Sequence, residues 1–401
     1  MRNLTITILC LGYLLAHQTA VAEPSYPHAN EPIGTVRQVY DGKLDPQIQI
    51  NTFRNIDRLF PTRVVAAGSD VRALPAKARP FTYFDYLEGD DRLDLYDYLS
   101  QARVAGLLVL HGGEIAYERY LMGNSPDTRW MSMSVVKSMC AALVGAAIED
   151  GFIGDLDDAL TVYLPRFDGS AYDGVSIRQL LQMTSGVAWN ETYTDPASDR
   201  RAMLDAQISE KPGAILELMA ALPRAAPPGS RWNYSTGETH VVGALLRAAV
   251  GEPVADYLSR KIWKPAGMQA NATWWLEAPD GLEVCGSGLS ATLRDYARFG
   301  LFLAENGVAR GKRVLPAGWM AEASTSKRVQ GELVDYGYML WPLANEAYAA
   351  IGIFGQWVYV HPQHDVVIAM WSAHSKPVGR SGLDEEVFLD ALSNAVDRFY
   401  D

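Results

Sequence analysis

The sequence predicts an α/β protein of the α+β kind, an antiparallel sheet flanked by helices with a mostly helical domain inserted into it. Three observations carry that expectation. Alternating, β-branched or aromatic runs lie near both ends of the chain, at 103–121 and 336–372. Residues 155–280 between them read as helices and loops, and a long apolar helical pattern follows the first pair of strands. The expected organisation is a discontinuous sheet domain of 91–165 and 285–401 around a helical insertion of 166–284. A lead segment at 23–90 and an export signal at 1–22 precede them. With 401 residues, 48% of them hydrophobic, the chain has material for a substantial core, and disorder is excluded.

The elements follow in order. Met1-Arg2-Asn3 is a cationic start, 4–16 is an apolar run too short to span a bilayer, and Ala20-Val21-Ala22 is an A-x-A cleavage signal. Export to a periplasmic or external space is expected, with no membrane span left after cleavage. Residues 23–90, rich in Pro, Gly and Asp, read as an extended lead wrapping on the rest, with no legible function. After a short helix at 93–100, a strand at 103–110, a turn at His111-Gly112-Gly113 and a strand at 114–121 make a hairpin. Residues 134–149 form a helix with Val136, Met139, Cys140, Leu143 and Ala147 on one stripe, ended by Gly151. Helices are expected at 177–182, 214–221, 238–250, 254–263, 292–305 and 316–324, strands at 336–341, 357–361 and 366–372, and a closing amphipathic helix at 385–400.

Composition narrows the partners. Asp and Glu number 47 against 35 Lys and Arg, for a net charge of -12 without a long basic run, which argues against a nucleic-acid partner. Cys10, Cys140 and Cys285 form no C-x-x-C pair, and Cys10 leaves with the signal; pairing of the other two stays open in an oxidising compartment.

A serine and a lysine three apart on a helix share a face, so an amine can reach a hydroxyl and take its proton once burial has lowered its pKa. The chain holds this spacing twice, at Ser134/Lys137 and Ser324/Lys327. The first pair opens the long apolar helix, where free backbone N–H groups and the helix dipole favour an oxyanion; the second precedes a polar loop and reads as a surface helix end. Tyr234, in Asn233-Tyr234-Ser235-Thr236-Gly237 after a Pro-Pro-Gly loop, is placed to shuttle a proton if Lys137 lowers its pKa. In 351–360, Gly352 and Gly355 are read at the start of a strand, where they permit close approach of a ligand. Ile353 N–H is then a second oxyanion donor beside Ser134 N–H, and Gln356 follows as a substrate-side residue. No G-x-S-x-G elbow exists; His361 and His364, with His374 following, could hint at a metal, but 361–365 reads as a hairpin turn between the last two strands, and no metal and no cofactor are expected. Asp199 and Asp205 read as surface charge.

The order of hairpin, S-x-x-K helix, helical insertion, Tyr-Ser loop and Gly-rich terminal strand resembles the penicillin-recognising serine hydrolases: class C β-lactamases, D-alanyl-D-alanine peptidases and related esterases. Within them, MSMSVVKSMCAALVGAAIEDG, WNETYTDPASD and GIFGQWVYVHP are most similar to the 6-aminohexanoate-dimer hydrolase branch. The resemblance runs from about residue 104 to 400. It implies a β-lactamase/transpeptidase-like fold, Ser134 as acylated nucleophile, Lys137 and Tyr234 as the proton-transfer pair, and Ser134 and Ile353 as the oxyanion hole. It also implies that Tyr193 closes over substrate. Two positions depart from the pattern. Tyr-x-Asn ends in Thr236, and the strand motif reads Ala350-Ile351-Gly352, without the cation that receives a β-lactam or D-alanine carboxylate. The expected activity is therefore hydrolysis of a carboxylic ester or small linear amide. A β-lactamase or D-alanyl peptidase is the first alternative, and a non-catalytic ligand-binding or sensor module the second.

Overall fold

The computed structural model of the chain describes residues 26–379 and 382–401; the expected export signal at 1–22, with Cys10, lies outside the described residues. The strand Val104–His111 turns back at Gly112 and Gly113 into Glu114–Tyr120. Both glycines take the left-handed conformation, at φ +60° and +75°, as a two-residue hairpin turn that matches strand twist requires. The first of these strands pairs with Val366–Ser372 from the far end of the chain. Six antiparallel strands result, in the order Trp341–Pro342, Tyr348–Gly352, Gln356–His361, Val366–Ser372, Val104–His111 and Glu114–Tyr120.

Helices cover both faces of this sheet, which is why its central strands read as unbroken apolar runs. Leu107, Val109, Ile368 and Met370 join one core with Phe388, Leu389, Leu392 and Val396 of the closing helix Glu385–Tyr400. Leu108, Leu110, Val367 and Ala369 join the other with Phe299 and Phe302 of Leu293–Ala304. Side chains alternate along a strand, so each core takes every second residue. The helix Val135–Glu149 is apolar almost all round because it is central, packed against Thr236–Val250 and the sheet.

Several expectations need correction. The lead segment at 23–90 is not merely extended. It carries the helices Val36–Asp41 and Pro46–Phe53 and the strand Thr62–Val65, which pairs with Ala272–Trp275. With Leu289–Thr292 and Arg129–Met131 these form a second, four-stranded sheet, whose strands of three or four residues are too short to show a period. Residues 336–340 are not a strand: Met339 turns left-handed at φ +53°, and only Trp341–Pro342 joins the sheet. Gly352 and Gly355 do not begin one strand; Gly352 ends Tyr348–Gly352, and Gly355 sits in the turn before Gln356–His361.

Glu238, in the first turn of Thr236–Val250, is 2% exposed. One carboxyl oxygen accepts from the Ser185 hydroxyl, and the other has no partner among the described residues. Burial raises its pKa from 4.5 to about 8, and the Ser185 contact offsets only part of this. Because the folded-state pKa is raised, the folded chain keeps a proton that the unfolded chain releases between pH 4.5 and about 8. Stability is therefore full below that window and declines as pH rises through it. Glu238→Gln, which cannot ionise, is expected to exceed the wild type at pH 8 by roughly 1–3 kcal/mol and to match it near pH 4. Thermal unfolding across that range checks this, and parallel pH profiles would contradict it.

Candidate active site

The second sheet delivers the chain to the serine. Ser132 N–H donates to Leu289 O at 2.7 Å, and Met133 then adopts φ +42°, a conformation glycine takes freely and methionine rarely. This turn sets Ser134 at the head of Val135–Glu149 without committing its hydroxyl to capping the helix. One turn on, Lys137 is 1% exposed, and its Nζ lies 2.9 Å from Ser134 Oγ, 2.7 Å from Gly286 O and 3.1 Å from Thr236 Oγ1.

Burial drives the Lys137 pKa down from 10.5 to about 7; Glu191 opposes the shift and the charge of Arg200 adds to it. As a free amine, Lys137 can donate to Gly286 O and Thr236 Oγ1 and turn its lone pair to the serine hydroxyl. Tyr234 behaves differently from the sequence expectation. Its ring lies 5.2 Å from Lys137 Nζ, but burial and Glu191 push its pKa up, and the contact with the Ser134 hydroxyl counters only part of that. A neutral phenol suits proton donation more than abstraction. Trp341 stacks on it at 5.8 Å and Tyr336 meets it edge-on at 5.9 Å, which fixes its ring.

The Gly352 end of its strand presses against the head of the serine helix. A Cβ on Gly352 would stand 2.6 Å from Ser132 O and 3.0 Å from Ser134 N. Ile353 follows directly, and neither its N–H nor that of Ser134 has a protein acceptor among the described residues. Two backbone donors without acceptors thus belong to residues that line the same cleft. Ser134, Tyr193, Tyr234, Gly352, Ile353 and Gly355 all line a cleft of about 540 Å³, with Trp341, Ile351 and Trp357 adding apolar wall.

Gln356 does not belong to this lining. The strand pleat turns it away from the cleft into the core, where it accepts from Trp130 Nε1 at 2.9 Å and donates to Phe354 O and Ser372 O. Ser324 and Lys327 do not meet: Ser324 Oγ donates to Met320 O, and Lys327 pairs with Glu322. Asp205 pairs with Arg37, and Asp199 Oδ2 accepts from Asn190 N–H. His361 and His364 bracket the turn between the last two strands. Cys140 and Cys285 are buried free thiols beside one another, and Cys140 Sγ donates to Cys285 O at 3.6 Å.

The sequence reading did not place three residues in the cleft lining, Glu191, His374 and Glu385. Glu191 accepts from Thr236 N–H at 2.9 Å, from the Thr236 hydroxyl and from Trp189 Nε1 at 2.5 Å, so Thr236 stands between Lys137 and a carboxylate. His374 is held neutral, its pKa lowered to about 4 by burial and then by Arg103; Glu385 lies 3.4 Å from it. Glu191 and His374 stand in loops and Glu385 at a helix start, with no spacing relative to Ser134 that marks them.

A serine bonded to a buried lysine at a helix head, under the edge of an antiparallel sheet, defines the β-lactamase/transpeptidase-like class. The chain belongs to the beta-lactamase family, whose model matches residues 94–392, a superfamily of serine hydrolases acting on esters, amides and β-lactams. Among its relatives, the 6-aminohexanoate-dimer hydrolase of Paenarthrobacter ureafaciens is 32% identical over 365 residues, covering 86% of this chain and 91% of that protein. Esterase EstB of Burkholderia gladioli is 30% identical over 192 residues, 43% of this chain and 47% of that one. A Bacillus anthracis structure, provisionally called a 6-aminohexanoate-dimer hydrolase, shares the fold at a TM-score of 0.81. It is 22% identical and covers 92% of this chain and 99% of its own.

An alanine at 352 would strike two backbone positions that cannot swing aside. Gly352→Ala is therefore expected to slow covalent labelling of Ser134 by a fluorophosphonate at least tenfold, about 1.4 kcal/mol of barrier, while the fold survives. Labelling at the wild-type rate would show that the close approach is dispensable.

Proposed function

We propose that the chain is a serine hydrolase that cleaves a carboxylic ester or a small linear amide through an acyl-enzyme at Ser134. The observation that carries this reading is the 2.9 Å contact between Ser134 Oγ and a lysine amine that is buried and depressed to about pKa 7. Lys137 takes the hydroxyl proton as Oγ bonds to the substrate carbonyl carbon, and the N–H groups of Ser134 and Ile353 receive the negative oxygen. Tyr234 gives its proton to the departing alcohol or amine and is reprotonated from Lys137; water then attacks the acyl-enzyme with the same groups in reverse. The apolar wall of Trp341, Ile351 and Trp357 suits a neutral acyl or leaving group. Two relatives bear the names of an amide hydrolase and an esterase, which supports the ester or amide choice. Export is proposed as well, on residues 1–22 alone.

Ser134→Ala is expected to abolish release of p-nitrophenol from p-nitrophenyl acetate and butyrate, and Lys137→Ala to lower kcat/KM by roughly 10³-fold. Equal rates in wild type and Ser134→Ala would end the hydrolase reading. Nitrocefin and a linear aminohexanoate amide, assayed beside the esters, rank the substrate classes. Since Lys137 acts unprotonated, kcat/KM should rise with pH through about 7 and then level off. A flat profile from pH 5 to 9 would remove lysine as the base.

A further inference from the structure

The segment Val36–Phe53, whose role the sequence leaves blank, touches two of the stretches that line the cleft. The helix Val36–Asp41 is fixed at its start by a reciprocal cap between Thr35 and Gln38 and at its end by Gly42, left-handed at φ +59°. These ends aim Tyr40, 1% exposed, at the loop that carries Tyr193. The two rings stack with centroids 6.5 Å apart and planes 21° apart. The outer ring also serves a cation: the Arg200 guanidinium lies 4.3 Å from the Tyr40 centroid and donates to its hydroxyl. Arg200 is 2% exposed and pairs with no carboxylate among the described residues, so Tyr40 is its main compensation. Beside it, Asp41 accepts from Arg201 Nη1 at 2.7 Å, and that same nitrogen donates to Tyr193 O at 3.2 Å. The segment grips a second lining stretch too: Lys376 Nζ donates to Gly42 O at 2.8 Å, and Gln49 Nε2 donates to His374 O at 2.8 Å.

We propose that Val36–Phe53 is a clasp for the active site, in which Tyr40 and Asp41 hold the Tyr193 loop over Ser134 as a wall against which a longer acyl chain packs. Residues 190–198 contain neither helix nor strand, so no backbone ladder fixes them. Side-chain contacts position such a loop: Glu191 ties one part of it to Thr236, and the contacts at Tyr193 and Arg201 come from a segment far away in sequence. Tyr40 and Asp41 are positioning residues: they reach the site through Tyr193, Arg200 and Arg201. The inference rests on the hydrolase reading only where substrate size enters; the docking of the loop stands apart from it.

The test compares Tyr40→Ala, Tyr40→Phe and Asp41→Asn with the wild type in two readouts. Amide hydrogen exchange needs no turnover. Tyr40→Ala and Asp41→Asn should speed exchange in 190–198 at least fivefold and leave 135–149 unchanged. In the second readout, Tyr40→Ala should raise KM for p-nitrophenyl octanoate at least fivefold, with a much smaller change in kcat for the acetate. Tyr40→Phe, which keeps the stack, should restore most of the octanoate KM. The clasp is overturned if exchange in 190–198 does not change selectively, or if both esters lose kcat equally as Tm falls. If Ser134→Ala hydrolyses the esters as fast as the wild type, the hydrolase reading fails instead, and the exchange result alone decides the clasp.

Discussion

An amine without bulk water around it governs this molecule. Lys137 is enclosed by the serine helix, the start of Thr236–Val250 and the loop at Gly286, and each supplies one polar contact. Moving a lysine from pKa 10.5 to about 7 corresponds to roughly 5 kcal/mol against the ammonium form. The nearby carboxylate of Glu191 does not reverse it. Desolvation wins because Glu191 is already engaged by Thr236 and Trp189 and reaches Lys137 through the Thr236 hydroxyl instead of by direct pairing.

That balance depends on three elements meeting within hydrogen-bond reach, which makes the backbone around the serine unusually constrained. Met133 is held left-handed, and Gly352 fits where any Cβ would collide with the chain leading into the helix. Strain of this kind persists only where surrounding contacts over-determine it. Here they do: Ser132 is tied to Leu289 in the second sheet, and Ser132 Oγ donates to Met133 O at 3.0 Å. The second sheet thus has a role beyond packing, since it feeds the chain into the turn that presents Ser134.

The electrostatics of the cleft divide the work between two groups that the sequence treats alike. Burial acts on both Lys137 and Tyr234, but it disfavours charge on each, so that above about pH 7 the lysine is a free amine while the tyrosine stays a protonated phenol. One is thereby suited to accept a proton and the other to give one. The expectation that Lys137 lowers the tyrosine pKa fails for the same reason: a neutral amine stabilises no phenolate.

What the sequence determined by itself was whatever depends on near neighbours in the chain. The Ser134/Lys137 spacing, the Gly112-Gly113 hairpin, the apolar central strands and the closing amphipathic helix were all legible, because a period of 3.6 or 2 or a left-handed glycine pair is a local property. Gln356 shows where that reasoning stops. Next to Gly355 in sequence it looked substrate-facing, yet the pleat sends it to Trp130 while Trp357 meets the cleft. Glu191, His374 and Glu385 come from separate stretches with no shared period, and residues 36–53 carry no signal of the loops they touch. Only the tertiary structure decided these, together with the depressed pKa of Lys137, because burial and the meeting of distant segments are properties of the packed chain and not of any stretch of it.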